Sequence, residues 1–260
     1  MTQIHELENP LKRLRLSGIL DSLEVRNQQA VNDKWSYIEF LSRLLTDEVE
    51  RRAAKQLDLR IRRGRIHSGK TMEAFDFGFN PTLNRQQIMD LATCEFIRRH
   101  RNCLIVGQTG VGKSHLAQAL AHEAARTGFD ILFTDTYKML AHIHAGRADD
   151  TYERRMAVYL KPDLLVIDDF GLKPLPTPNG QTDLYDIINE RYETSSILVT
   201  SNRAPGEWPE LFGNALLASA ALDRLADRAH VVSITGKSYR LTRTADGKEV
   251  ALSELAPTTD

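Results

Sequence analysis

The sequence predicts an α/β fold, a parallel β-sheet covered by helices on both faces, preceded by a small all-helical segment. Three observations predict it. From residue 103 onward, short apolar runs alternate with stretches of helical periodicity, the pattern of a parallel sheet. Residues 107–114 read Gly-Gln-Thr-Gly-Val-Gly-Lys-Ser, a phosphate-binding loop set between a strand-like and a helix-like run. Residues 1–70 have apolar spacing of helical period, no β-rich alternation and one proline, Pro10.

The elements follow in order. Leu11, Leu14 and Leu16 begin an apolar pattern that breaks at Ser17-Gly18. Tyr37, Phe40, Leu41, Leu44, Leu45 and Val49 resume it at i, i+3, i+4 spacing, and Trp35, Tyr37 and Phe40 are expected to pack between helices. Periodicity fails from Gly64 to Pro81, so residues 71–85 read as a linker, with Phe75-Asp76-Phe77-Gly78-Phe79 as an aromatic anchor. Asn84 is placed to cap a helix carrying Ile88, Leu91, Ala92, Phe96 and Ile97, which opens a core domain over 86–260. Strands are expected at 103–106, 131–133, 164–167, 197–200 and 231–234. Helices are expected after the loop (Leu116, Ala117, Leu120, Ala121, Ala124) and at 137–144, 183–193 and 216–228. Pro174, Pro176, Pro178 and Gly180 predict an exposed loop.

Composition narrows the class. The 260 residues are 42% hydrophobic, ample for a core, yet no apolar run approaches the ~18 residues of a membrane span. The first twenty residues carry Glu6, Glu8, Lys12, Arg13 and Arg15 around no apolar centre, which argues against a secretory signal. Cys94 and Cys103 are the only cysteines, without zinc spacing, and His142 and His144 face apart on a helix; a reducing cytoplasm is expected. The net charge of −1 hides an asymmetry. Residues 1–102 hold 18 Lys/Arg against 14 Asp/Glu (+4), and the remainder 16 against 21 (−5). Within 51–70 stand eight cations, Arg51, Arg52, Lys55, Arg60, Arg62, Arg63, Arg65 and Lys70, against Asp58 alone. That excess over local anions predicts an external polyanion, and the competing reading is a solvated helix face.

The chemistry centres on the loop. Backbone N–H groups along Gly107, Gln108, Thr109, Gly110, Val111 and Gly112 turn inward around a β-phosphate. Lys113 reaches the β and γ oxygens, and the Ser114 hydroxyl coordinates Mg²⁺. The following helix adds its N-terminal dipole. Asp168 ends a buried strand, at the edge where ligands of open α/β sheets gather, so it can hold Mg²⁺ while Asp169 polarises the attacking water. Asn202 follows the next strand and is placed to orient water or sense the γ-phosphate; otherwise it forms the turn before Arg203-Ala204-Pro205. Arg224 and Arg228 are four apart, hence on one helix face. By spacing alone they read as ordinary surface balanced by Asp223 and Asp227.

Together these motifs resemble the AAA+ ATPases, specifically the IstB-like transposition helpers and their DnaC-type helicase-loader relatives. The carriers are Phe75-Asp76-Phe77, Gly107 to Ser114, Leu164 to Gly171, Asn189 to Glu193, Thr200 to Arg203, Glu207-Trp208 with Phe212, Leu222 to Leu225, and Gly236-Lys237-Ser238-Tyr239-Arg240. The Trp208 block and the last motif look more like the transposition helpers. The resemblance implies an AAA+ P-loop core, ATP and Mg²⁺ as cofactors, Lys113 and Ser114 on phosphate and metal, and Asp168 as the Walker B acid. It makes Asn202 sensor I and Arg224 an arginine finger supplied to a neighbouring subunit, with Arg228 as fallback and Arg240 in a sensor II-like part. It implies a homo-oligomer on duplex DNA that recruits a cognate transposase, gripping DNA through the helical segment 1–70 and its basic run. Asp169 stands where many members have Glu, which implies slow hydrolysis. Only about 26 residues follow Ile234, too few for the C-terminal helical lid of many members. A helicase loader would share nearly every motif. A small-molecule kinase would need an acceptor pocket and lid, and a non-catalytic DNA adaptor would not turn over ATP.

Overall fold

The computed structural model describes residues 2–176 and 179–239. The chain divides into two compact units, Met1–Leu59 and Arg60–Asp260.

The first unit contains α1 (Thr2–Arg13), α2 (Ser17–Asp33) and most of α3 (Tyr37–Arg63). The break at Ser17-Gly18 is a helix start, and a distant carboxylate caps it. Buried Glu48 accepts N–H bonds from Gly18 (2.5 Å) and Ile19 (3.3 Å), satisfying donors that α2 cannot satisfy itself. Ile19, Leu23 and Leu44 form the core, with Leu11, Leu16 and Phe40 packed against them. The apolar stripe expected to be buried along α3 is mostly outside it: Leu41, Leu45 and Val49 are exposed, and Tyr37 is 94% exposed. So small a unit has too little interior to cover a whole helix face. Trp35 lies beneath the Arg43 guanidinium, 4.0 Å away.

The second unit is built on parallel strands β1 (Cys103–Gly107), β2 (Ile131–Asp135), β3 (Leu164–Phe170), β4 (Ser196–Ser201) and β5 (His230–Ile234), in the order β2-β3-β4-β1-β5. The helix expected after Asn84 is two, α4 (Arg85–Ala92) and α5 (Glu95–Arg98). Asn84 caps the first as expected, but Cys94 turns left-handed (φ 61°) and interrupts the ladder. After β1 come α6 (Lys113–Thr127) and α7 (Thr136–Ala145), then an unanticipated α8 (Tyr152–Leu160). The helix α9 (Asn179–Arg191) takes Gly180 into its buried first turn, out of the loop predicted for it; Pro178 lies outside the described residues. A 3₁₀ helix (Pro205–Leu211) and α10 (Ala215–Ala226) precede β5.

Alternation along the strands assigns the faces. Leu104, Val106, Leu165, Ile167, Ile197 and Val199 pack with α7 through α10. The opposite face meets α6, which touches β1 to β4. Arg240 and the expected absence of a lid concern residues 240–260, outside the described residues.

Candidate functional site

The phosphate loop joins β1 to α6 at the carboxyl edge of the sheet. Gly107 passes so close to β5 that a Cβ would lie 2.0 Å from the Ile234 carbonyl oxygen, and Gly110 has φ +85°. No larger residue fits either place. Lys113, 7% exposed, donates from Nζ to the Gln108 carbonyl at 2.8 Å, so its ammonium is held inside the loop it would serve. Ser114 follows in the first turn of α6, half-buried.

Two strands away, β3 ends in the acids. Asp168 shares the strand parity of Leu164 and Val166, so it projects on the α6 side. Between Ile167↔Val199 and Phe170↔Ser201 the β3–β4 register slips, three steps against two. The extra residue is a bulge, and Asp169 takes it up with φ +55°, its side chain exposed. One hydroxyl organises both acids. Thr200 donates from Oγ1 to Asp168 Oδ1 and accepts the Asp169 backbone N–H at 3.1 Å. The sequence marks Thr200 only as the end of the strand 197–200 and the start of the motif Thr200 to Arg203, without pairing it with the acids. Asn202 follows β4, exposed at the same edge. Ser114 and Asp168 offer the hard oxygen donors that suit Mg²⁺; among the described residues no cluster of His, Cys, Asp and Glu forms a ready metal cage.

A cleft of about 310 Å³ opens beside the loop, lined in part by Phe75, Phe79, Asn80, Val111, His115 and Tyr239. Phe75 meets Phe77 and His115 edge-on, and Phe79 meets Tyr239. Asn80 donates to the Val111 carbonyl at 2.9 Å, and the Tyr239 N–H to that of Gly110 at 2.9 Å. The segment expected to be a linker with an aromatic anchor thus walls the loop with surfaces suited to a flat heteroaromatic ring. Burial lowers the His115 pKa, keeping that wall neutral.

The late arginines are elsewhere. Arg224, near the end of α10, lends its carbonyl to Asn102 Nδ2 (3.3 Å), and Asn102 precedes β1. Arg224 and Arg228 therefore occupy the amino edge of the sheet, separated from the loop by the length of β1, about 17 Å at ~3.3 Å per residue. They do not share a helix face: α10 ends at Ala226 and Arg228 is left-handed (φ 49°), because Asp227 has already left helical geometry. Arg224 lies over Tyr185 and Tyr192, at 5.7 and 6.0 Å from the ring centres.

The basic run is less uniform than its sequence. Arg51 pairs with the distant Asp21 at 3.2 Å and Arg52 with Glu48, one helical turn before it, at 2.6 Å, so two of the cations are neutralised within the chain. Lys55, Arg62, Arg63 and Arg65 are exposed and Arg60 half-buried; α3 ends at Arg63, and Arg65 follows with φ 56°.

A family model described as IstB-like ATP binding protein matches residues 9–246. A Mycobacterium tuberculosis protein named as an ATP-binding protein in an insertion sequence is 40% identical over 235 residues, 90% of this chain and 93% of its own. The ATP-binding protein of insertion sequence IS21 from Pseudomonas aeruginosa is 34% identical over 238 residues, 92% and 89% of the two chains. Among solved structures, AMPPCP-bound DnaA from Aquifex aeolicus superposes with a TM-score of 0.55 at 22% identity, covering 68% of this chain and 54% of that one. DnaI superposes at 0.54 and 20%, covering 64% and 90%. These structural likenesses establish the fold, an AAA+ core. With the family match running nearly end to end, the chain belongs to the IstB-like ATP-binding proteins and is an ATPase of the AAA+ type.

Proposed function

We propose that the protein is the ATP-dependent helper of an insertion sequence, assembling with copies of itself on duplex DNA and recruiting its transposase. Relatives named for insertion sequences, similar over nearly their whole length, support this reading over a helicase loader. The observation that carries it is the separation of Arg224 from the phosphate loop of its own chain, across the sheet. An arginine there serves hydrolysis only by reaching the loop of a neighbouring copy.

In this reading the loop amides and Lys113 bind the β and γ phosphates, and Ser114 and Asp168 hold Mg²⁺, which supplies charge neutralisation at the phosphates. The Thr200 hydroxyl keeps Asp168 oriented and pins the bulge that presents Asp169 to the attacking water. Asn202 contacts the γ-phosphate, Phe75, Phe79 and Tyr239 enclose the base, and Arg224 from the adjacent copy meets the charge developing on the transferred group. Arg51, Arg52, Lys55, Arg60, Arg62, Arg63 and Arg65 supply the cations for the DNA phosphates, with the exposed Lys55, Arg63 and Arg65 contributing more than Arg51 and Arg52, which are already paired with carboxylates. The reaction belongs in the cytoplasm, where ATP and target DNA meet.

The test is Lys113→Ala. It should abolish binding of a fluorescent ATP analogue and, with it, ATP-dependent assembly on duplex DNA seen by light scattering. Assembly that persists unchanged would overturn the proposed dependence of assembly on ATP.

A further inference from the structure

The amino edge of the sheet carries a second cation that nothing above uses. A cleft of about 380 Å³ there is lined by Arg99, Arg101, Arg224 and Arg228, with the acids Glu193 and Asp227 among its other walls. Three of the four arginines are engaged. Arg99 pairs with Glu95 at 2.9 Å, Arg228 lies 4.0 Å from Asp227, and Arg224 donates to the Ala220 carbonyl at 2.8 Å. Arg101 is half-buried and has no carboxylate partner among the described residues. A partly desolvated guanidinium without a counter-anion is costly unless an anion arrives from outside.

Its position is rigid. The Arg101 N–H is held by the Phe96 carbonyl at 2.8 Å, after a left-handed His100 (φ 51°). The next residue, Asn102, is 8% exposed and tied on every side. Its amide donates to the carbonyls of Arg224 (3.3 Å) and Leu225 (3.2 Å), its Oδ1 accepts the Ile197 N–H (2.9 Å), and its own carbonyl accepts the His230 N–H (2.9 Å). One buried side chain therefore staples the backbone of Arg101 to that of Arg224.

We propose that Arg101 is a second arginine of the shared site, binding beside Arg224 to the triphosphate held by a neighbouring copy. The inference rests on the shared-site reading. A triphosphate fits better than a nucleic-acid backbone because the cations line a concave cleft that also contains Glu193 and Asp227. A compact terminal phosphoryl group can enter between the guanidinium groups, whereas an extended polyanion would run against the two acids. Two cations on the transferred group spread the stabilisation of its developing charge.

The experiment is trans-complementation of ATP hydrolysis by the full chain. Arg101→Ala should bind the fluorescent ATP analogue as the wild type does and hydrolyse ATP about 10-fold more slowly or worse. Mixed with an excess of Lys113→Ala, which has a dead loop but an intact Arg101, it should regain activity. Arg101→Lys should recover part of the loss. Arg101→Gln repeats the test if the alanine variant has a lowered melting temperature. Hydrolysis within about twofold of wild type would overturn the inference. So would a deficit that mixing does not repair, or a loss of duplex-DNA affinity with DNA-free hydrolysis unchanged. Arg224→Ala mixed with Lys113→Ala is the control. If that pair fails to complement, the shared site itself falls; if it complements while the Arg101 pair does not, only the role of Arg101 is lost.

Discussion

Thr200 shows how much a single hydroxyl can organise. Its donor and acceptor functions are both used, one on the Asp168 carboxylate and one on the Asp169 N–H, at the point where the β3–β4 register slips. Removing it leaves a carboxylate free to rotate and an extended turn without its anchor. Thr200→Val keeps the shape and deletes the hydroxyl. It should lower Mg²⁺-dependent ATP hydrolysis by roughly 10–100-fold, the usual cost of losing a partner behind a metal ligand, while nucleotide binding stays within a few-fold. A phosphate-release assay across Mg²⁺ concentrations checks this, and unchanged turnover would separate Thr200 from the chemistry. Sequence pattern named both acids because they end an apolar run. It could not name their partner, which is 32 residues away.

The 3₁₀ helix Pro205–Leu211 looks peripheral in the chain and is central in the fold. Its Trp208 is fully buried, lies edge-on to Phe170 with ring centres 4.8 Å apart, and donates its indole N–H to Ser201 Oγ (3.2 Å) and the Arg203 carbonyl (3.3 Å). Phe170 follows Asp169, and Ser201 and Arg203 flank Asn202, so this ring braces the ends of β3 and β4 together. Trp208→Ala should cost about 3–5 kcal/mol in denaturant unfolding of the second unit, through cavity and lost transfer energy. Trp208→Phe should cost less, since it forfeits mainly the two N–H bonds. Equal losses for the two variants would show that the ring volume is not what matters. The resemblance identified this tryptophan block as a family mark; only packing explains why it is there.

Across the whole molecule, arginine-paired carboxylates tie stability to pH in both units, Asp47 in the first and Glu73 in the second. In the first, a small apolar core is supplemented by Arg26, which meets Asp47 through two bonds of 2.8 and 2.7 Å. The hydrogen bonds from Arg26 lower the Asp47 pKa to about 2. A carboxylate so depressed stabilises the fold above its ordinary pKa and loses that contribution as pH falls through its folded value. The helical unit should therefore weaken between about pH 4 and pH 2, followed by helix circular dichroism of the full chain. Asp47→Asn should be less stable at neutral pH and show a shallower acid dependence. An acid limb as steep as that of wild type would assign the loss to other carboxylates.

Much of this architecture was legible before any coordinates. The strand–loop–helix around Lys113, the parallel sheet and the cap at Asn84 were readable because each depends on neighbouring residues and a short-range hydrogen-bond geometry. The left-handed Cys94 that splits a helix, the unanticipated α8 and the release of Arg228 from α10 were not, because local propensity yields there to packing. The motifs alone determine that this chain has a phosphate loop and a pair of acids to serve it. Strand order decided the rest: it set Asp168 beside Thr200, wrapped Phe75 and Tyr239 around the loop, and carried Arg101 and Arg224 to the far edge. Those relations join residues distant in the chain, and only the burial of one continuous core brings them together.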